Sequence, residues 1–422
     1  MSVKKRDRAM QRLVRERQEK TGESYQAAWQ QLGAPENVLG AQAEQPKEPA
    51  LQQDAPEASG HVSRIPLPFS TGNKVLPNQS AQITARPQLL SFWPDRLLVK
   101  NANRWDIHRL SIGLGKSPWS SLIEDEDRRR CASVFSLDTW QSLLQREVSL
   151  GDVIVMEVTY TGTNEQGESF EAVLFGWDGE PPAKTSVHGE PDPSTRLFEC
   201  AESKSVRANE MAVLSITIAS PALCVDHFTI ADAKDWIVHD IRTHGKSIFV
   251  QGGDLPGEMF TGAAPVILKP LAAKDRVEIA ATYVGKNATA CLKVELSGMS
   301  NTTGARAVSY FLPMSTDVPI LPTQSAQIRG APARDFIPER LVISDSAAWI
   351  INDIKVGHRC QPAQSGDIPG QAFSIQAVGC DVTLDRVPKA VNFTIVTTYA
   401  ENGKEEGSGF FCGVQGRLVQ EL

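Results

Sequence analysis

Four kinds of side chain in this 422-residue chain could do chemistry, and each has a plainer role beside it. GLGKS at 113–117 and THGKS at 243–247 end like a phosphate-binding loop. Such a loop needs a first Gly five residues before the Gly-Lys pair, so that backbone N–H groups wrap the phosphates. Leu110 and Asp240 stand there instead, and a turn at a strand end accounts for the Gly. His108, His239 and Asn352 fall at one equivalent position when the internal repeats described below are aligned. The alternation of apolar residues sets that position on the inward face of a strand, a polar core position that needs a hydrogen-bond partner. A metal site would join His239 to His227, His244, Asp226 or Asp240, but no HExxH-type spacing supports one, and the third copy holds Asn. No GxSxG or active-site cysteine signature assembles a nucleophile with a base, and the carboxylates Glu124 and Glu126 lie in a charged, solvated run. No enzyme, cofactor or metal is expected.

The elements that would carry these residues are set by internal repetition. LPNQSAQI at 76–83 returns as LPTQSAQI at 321–328. Three blocks centre on Trp105, Trp236 and Trp349 (RWDIHRLSIG, DWIVHDIRTHG, AWIINDIKVG), and each copy closes on Thr-Tyr, at Tyr160, Tyr283 and Tyr399. Copies two and three also share GDLPGEMF at 253–260 and GDIPGQAF at 366–373. Pro256 and Pro369 there fix φ and shape corresponding corners. Positions that recur while their loops differ read as scaffold. In the third copy, Ile350, Ile354 and Val356 are assigned to one face of the Trp strand and Trp349, Ile351, Asp353 and Lys355 to the other.

Each copy reads as short strands with turns between them, so the expected fold is all-β: three tandem antiparallel β-sandwich or jelly-roll-like repeats. Hydrophobic residues at 41%, with 31 Gly and 26 Pro, fit that class. The expected divisions are a basic helical hairpin (1–33), a disordered linker (34–75), β repeat 1 with a charged insertion (76–178), a linker (179–206), β repeat 2 (207–305) and β repeat 3 (306–422). The insertion contains IEDEDRRR at 123–130 and DTWQSLLQRE at 138–147.

Net charge is −7, yet the first twenty residues hold Lys4, Lys5, Arg6, Arg8, Arg12, Arg15, Arg17 and Lys20 against three acids, leaving −12 for the rest. A basic hairpin too small to bury its own core docks on something: nucleic acid, an acidic cargo, or the acidic body of its own chain. Its tether, rich in Gln, Glu, Pro and Ala, offers too little apolar surface to offset ordering. No apolar run of membrane length and no signal-peptide core is visible, and seven Cys without a CxxC fit a reducing cytoplasm. The resulting expectation is a non-enzymatic structural or assembly protein, akin to a shell, virion or appendage subunit, that self-associates or binds other proteins. The alternatives are a β-sandwich module binding carbohydrate or protein, and an enzyme with a site between repeats.

Overall fold

The structure, a computed structural model, describes residues 62–113, 120–122, 135–136, 143, 146–181, 196–220, 222–261, 265–299, 307–316, 318–377, 381–400 and 407–419. The described residues fall in one compact unit, 60–422. The expected hairpin, its basic residues Lys4 to Lys20 and most of the tether lie outside the described residues, as do IEDEDRRR and most of DTWQSLLQRE.

The described fold is all-β and sandwich-like. In the first copy β1 (Ser63–Val75), β2 (Ser80–Ala85), β3 (Ser91–Val99), β4 (Trp105–Gly113), β5 (Ser120–Ser121), β6 (Val148–Ser149), β7 (Val153–Tyr160) and β8 (Glu168–Asp178) form sheets ordered β1-β8-β3-β6 and β2-β7-β4-β5. In the second, β9 (Arg196–Glu202), β10 (Val206–Arg207), β11 (Met211–Thr217), β12 (Ala222–Ile230), β13 (Trp236–Thr243), β14 (Lys246–Ser247), β15 (Leu255–Pro256), β16 (Leu271–Ala272), β17 (Arg276–Tyr283), β18 (Thr289–Ala290) and β19 (Lys293–Met299) give β9-β19-β12-β16 and β11-β17-β13-β14, with β15 on β13. In the third, β20 (Tyr310–Ser315), β21 (Ser325–Gly330), β22 (Phe336–Ile343), β23 (Trp349–Val356), β24 (Arg359–Cys360), β25 (Ile368–Pro369), β26 (Phe393–Tyr399) and β27 (Phe411–Leu418) give β20-β27-β22 and β21-β26-β23-β24, with β25 on β23. All named strand pairs are antiparallel.

Two expected linkers contain strands. β1 lies within 34–75, β9 lies within 179–206, and β10 straddles the end of that second linker. Pro66 and Pro68 make SRIPLPF read as linker, but β1 is the edge of its sheet, where a missing donor is tolerated. Its alternate residues Ile65, Leu67 and Phe69 are buried.

Each Trp enters its strand the same way. Asn101, Asp232 and Asp345 adopt left-handed φ of 51°, 50° and 47°, a conformation Asn and Asp tolerate better than other side chains. A three-residue 3-10 turn follows, and Trp105, Trp236 and Trp349 resume extended backbone. Each Trp lies directly across from Tyr160, Tyr283 or Tyr399, with ring centroids 4.9, 5.2 and 5.0 Å apart. All six rings are buried. One apolar core joins the first and third copies; a second fills the middle copy and takes in Phe311 and Val342 of the third.

Candidate functional site

The face assignment of the Trp strand needs correction. Trp349, Ile351, Ile354 and Val356 point inward, and Ile350 does not. The cause is a β-bulge: Ile351 pairs with Thr397 and Asp353 with Val396, leaving Asn352 as the extra residue. His108 and His239 occupy the same bulge between Ile107 and Arg109 and between Val238 and Asp240. One inserted residue shifts the alternation of all that follow. His108, His239 and Asn352 therefore stand on the outer face, not in the core: His108 is exposed and the other two half-buried.

There they brace the sheet. His239 Nε2 lies 2.7 Å from Thr282 Oγ1 and its Nδ1 lies 2.6 Å from Asp254 Oδ1. Thr282, His239 and Asp254 thus form a hydroxyl–imidazole–carboxylate array that the sequence, with no nucleophile motif, did not reveal. The third copy repeats it with Asn: the Thr398 hydroxyl donates to Asn352 Oδ1 at 2.7 Å, and Asn352 Nδ2 donates to Asp367 at 2.8 Å. In the first copy His108 Nε2 lies 2.6 Å from Thr159 Oγ1. An amide cannot accept the proton of a nucleophile, yet Asn352 keeps the same bonds, so the array can tie the strand to the corner without any proton transfer. Its Asp belongs to the shared GD[LI]PG corner, which is how the corner is tied to the strand.

Pro256 and Pro369, with φ of −63° and −60°, lie buried opposite Ile237 and Ile350. The next residue must be Gly: a Cβ on Gly257 would overlap the carbonyl oxygen of Ala233, and one on Gly370 would sit 2.5 Å from that of Ser346. The corner is thereby pressed onto the 3-10 turn that delivers the Trp.

The other candidates do not converge. His227 Nδ1 sits 2.9 Å from Asp226 Oδ1, which also accepts from Arg196, while His244 pairs with Asp275 at 3.0 Å and Asp240 with Arg242 and Ser247. Among the described residues no three His, Cys, Asp or Glu side chains form a metal-binding group. THGKS is the tight β13–β14 turn, with His244 and Gly245 at φ 52° and 70°.

What sequence reasoning missed is a contact used twice. Between copies two and three, Val250 N–H donates to Phe311 O (2.8 Å), Ala333 N–H to Val250 O (2.7 Å) and Ala331 N–H to Gln251 Oε1 (2.5 Å). Between copies three and one, Ala363 N–H donates to Pro66 O (2.9 Å), Gln88 N–H to Ala363 O (2.9 Å) and Arg86 N–H to Gln364 Oε1 (2.7 Å). Residue for residue, the inserting segments differ by 113 (363 − 250) and the receiving ones by 245 (311 − 66), the offsets of the sequence repeat itself. Phe311 is fully buried here, 5.3 Å from the Phe260 ring. The shared GD motifs were the available signal, because each directly follows an inserting segment.

No protein-family profile and no curated protein sequence matches the chain. Among the described residues no helix is long and apolar enough to cross a membrane.

Proposed function

We propose that the protein is a non-enzymatic structural or assembly subunit. In this reading its body is three tandem antiparallel sandwiches of jelly-roll-like form, the repeats at 76–178, 207–305 and 306–422 with the first two extended back to Ser63 and Arg196. The basic arm (1–33) is the recruitment element for a neighbour or acidic cargo. The observation that supports the reading is the contact used twice: one bonding pattern seats copy two on copy three and copy three on copy one. A module that carries its own docking rule suits a rigid body built to assemble. The enzyme alternative has the Thr282–His239–Asp254 array in its favour, but Asn352 holds the equivalent place.

Mass photometry of the full chain from nanomolar to micromolar concentration tests the proposal. Discrete oligomers or closed particles are the expected result. A strict monomer throughout, with and without an acidic polymer added, overturns it.

A further inference from the structure

Beside the contact between copies two and three lies a cleft of about 390 Å³, walled by Lys246, Lys269, Tyr310 and Arg334. Among the described residues no carboxylate lines it, and His244 at its rim is already paired with Asp275. Lys246, Lys269 and Arg334 have no ion-pair partner among the described residues. A neighbouring cavity of about 650 Å³ shares Lys269, Tyr310 and Arg334 and adds Lys389 and Arg417. Its one carboxylate among the described residues, Asp335, is held by Arg386 and by the Lys389 N–H.

The contact between copies three and one supplies an internal control. The equivalent cleft, about 350 Å³, places Arg359 where Lys246 stands, Leu89 where Arg334 stands and Ile65 where Tyr310 stands. Asp178, Asp353 and Asp385 also line it, and Arg359 is tied to Asp385 at 3.2 Å. The same backbone bonds thus close over clefts of opposite net charge, so the backbone contact does not dictate the charge of the cleft beside it. Gathering unpaired cations raises the energy of the free cleft through mutual repulsion, and a bound anion relieves it. Ligand pockets also favour junctions between rigid bodies.

We infer that the cleft walled by Lys246, Lys269 and Arg334 binds a small, multiply charged oxyanion, a phosphate or sulfate group borne by the ligand. Two ammonium groups and a guanidinium suit a compact anion of two or more charges, and Tyr310 places a phenol on the wall. Binding here neither requires nor excludes assembly.

Isothermal titration calorimetry on the full chain at low salt tests this with inorganic pyrophosphate in one arm and inorganic sulfate in the other; the tighter arm identifies the source. The expected result is one site per chain that weakens as salt rises. Lys246→Glu with Arg334→Glu should weaken it by roughly tenfold or more, because two attractive charges become repulsive. Arg359→Glu, in the opposite cleft, should leave it unchanged. All three positions are exposed, and a melting curve confirms folding of each variant. No saturable heat, equal weakening by Arg359→Glu, or full binding by the double variant (the basic arm as the binder) overturns the inference.

Discussion

Gly413 offers the sharpest test of the contact used twice. It lies on the outer face of β27, where a Cβ would fall inside the radius of Met259 Sδ and 2.7 Å from Leu255 Cδ2. Copy two thus presses a large side chain into a notch left by Gly. At the other contact the sizes are reversed: register places Val173 at the Gly413 position, and the offset of 113 places Ala372 at the Met259 position. Gly413→Val alone overpacks the notch and should cost about 1–3 kcal/mol. Met259→Ala alone removes a buried side chain and should cost about 2–5 kcal/mol. Combined, the two recreate the Val–Ala pairing, so the double variant should be more stable than the sum by about 1–3 kcal/mol. The assay is a denaturant melt of all four proteins, with hydrogen exchange at the Val250 and Ala333 amides reporting this contact directly, since a body of several modules need not unfold in two states. Additivity within about 0.5 kcal/mol would refute the interlock.

Trp349→Ala should destabilise by about 3–5 kcal/mol in the same melt, because its ring is buried against Tyr399 and Phe410; unchanged stability would show the ring to be dispensable. His239→Asn should cost less than about 1 kcal/mol, since Asn352 makes the equivalent bonds; a loss above twice that would mean the imidazole does more than brace. Burial, aided by Asp345, raises the Glu258 carboxyl above its usual range. Its native form therefore takes up a proton more readily than its unfolded form, and stability falls as pH rises through the raised value. Glu258→Gln should melt higher than the wild type at neutral pH and lose that advantage below about pH 4; an advantage that grows in acid would contradict the sign. Iodoacetamide should label exposed Cys200 in the native protein and reach Cys412 only on unfolding, because complete burial pushes that thiol far up.

Much of the fold was legible because repetition amplifies weak signals. One Trp says little, whereas three at the same distance from a preceding apolar strand position, each followed by a strand closing on Thr-Tyr, mark a shared core position. What stayed hidden has identifiable causes. A bulge is invisible to a two-residue period, so the faces of β4, β13 and β23 were read without the shift at His108, His239 and Asn352. The strands β1 and β9 looked like linker because edge strands tolerate Pro and charge. The cleft proposed for an oxyanion was unreadable because Lys246 and Lys269 of copy two are joined by Arg334 of copy three only where the two copies dock.

The repeated contact also carries its own stopping rule. Strand register places Phe198 of β9 where Phe311 and Pro66 receive the inserting segment, yet Phe198 is 60% exposed. Its surroundings have changed character. Glu295 stands where the other copies have Gly413 and Val173, and Thr229 stands where they have Val342 and Leu98, which are fully buried. Glu199 replaces Leu312 and Leu67, and its carboxylate accepts the Ala219 N–H at 3.0 Å. Burial alone would disfavour that charge, but donors from Ser220 and Ala219 outweigh it and hold the carboxyl below its usual range. Ala219 matches Ala333 and Gln88, whose N–H groups bond the incoming backbone in the other copies. The second copy thus satisfies internally the donor that would greet a neighbour and keeps its receiving face wet, as terminal repeats do. Among the described residues docking runs from copy two to three to one, and the receiving face of copy two is closed to a further inserting segment; the assembly proposed above would therefore use other surfaces.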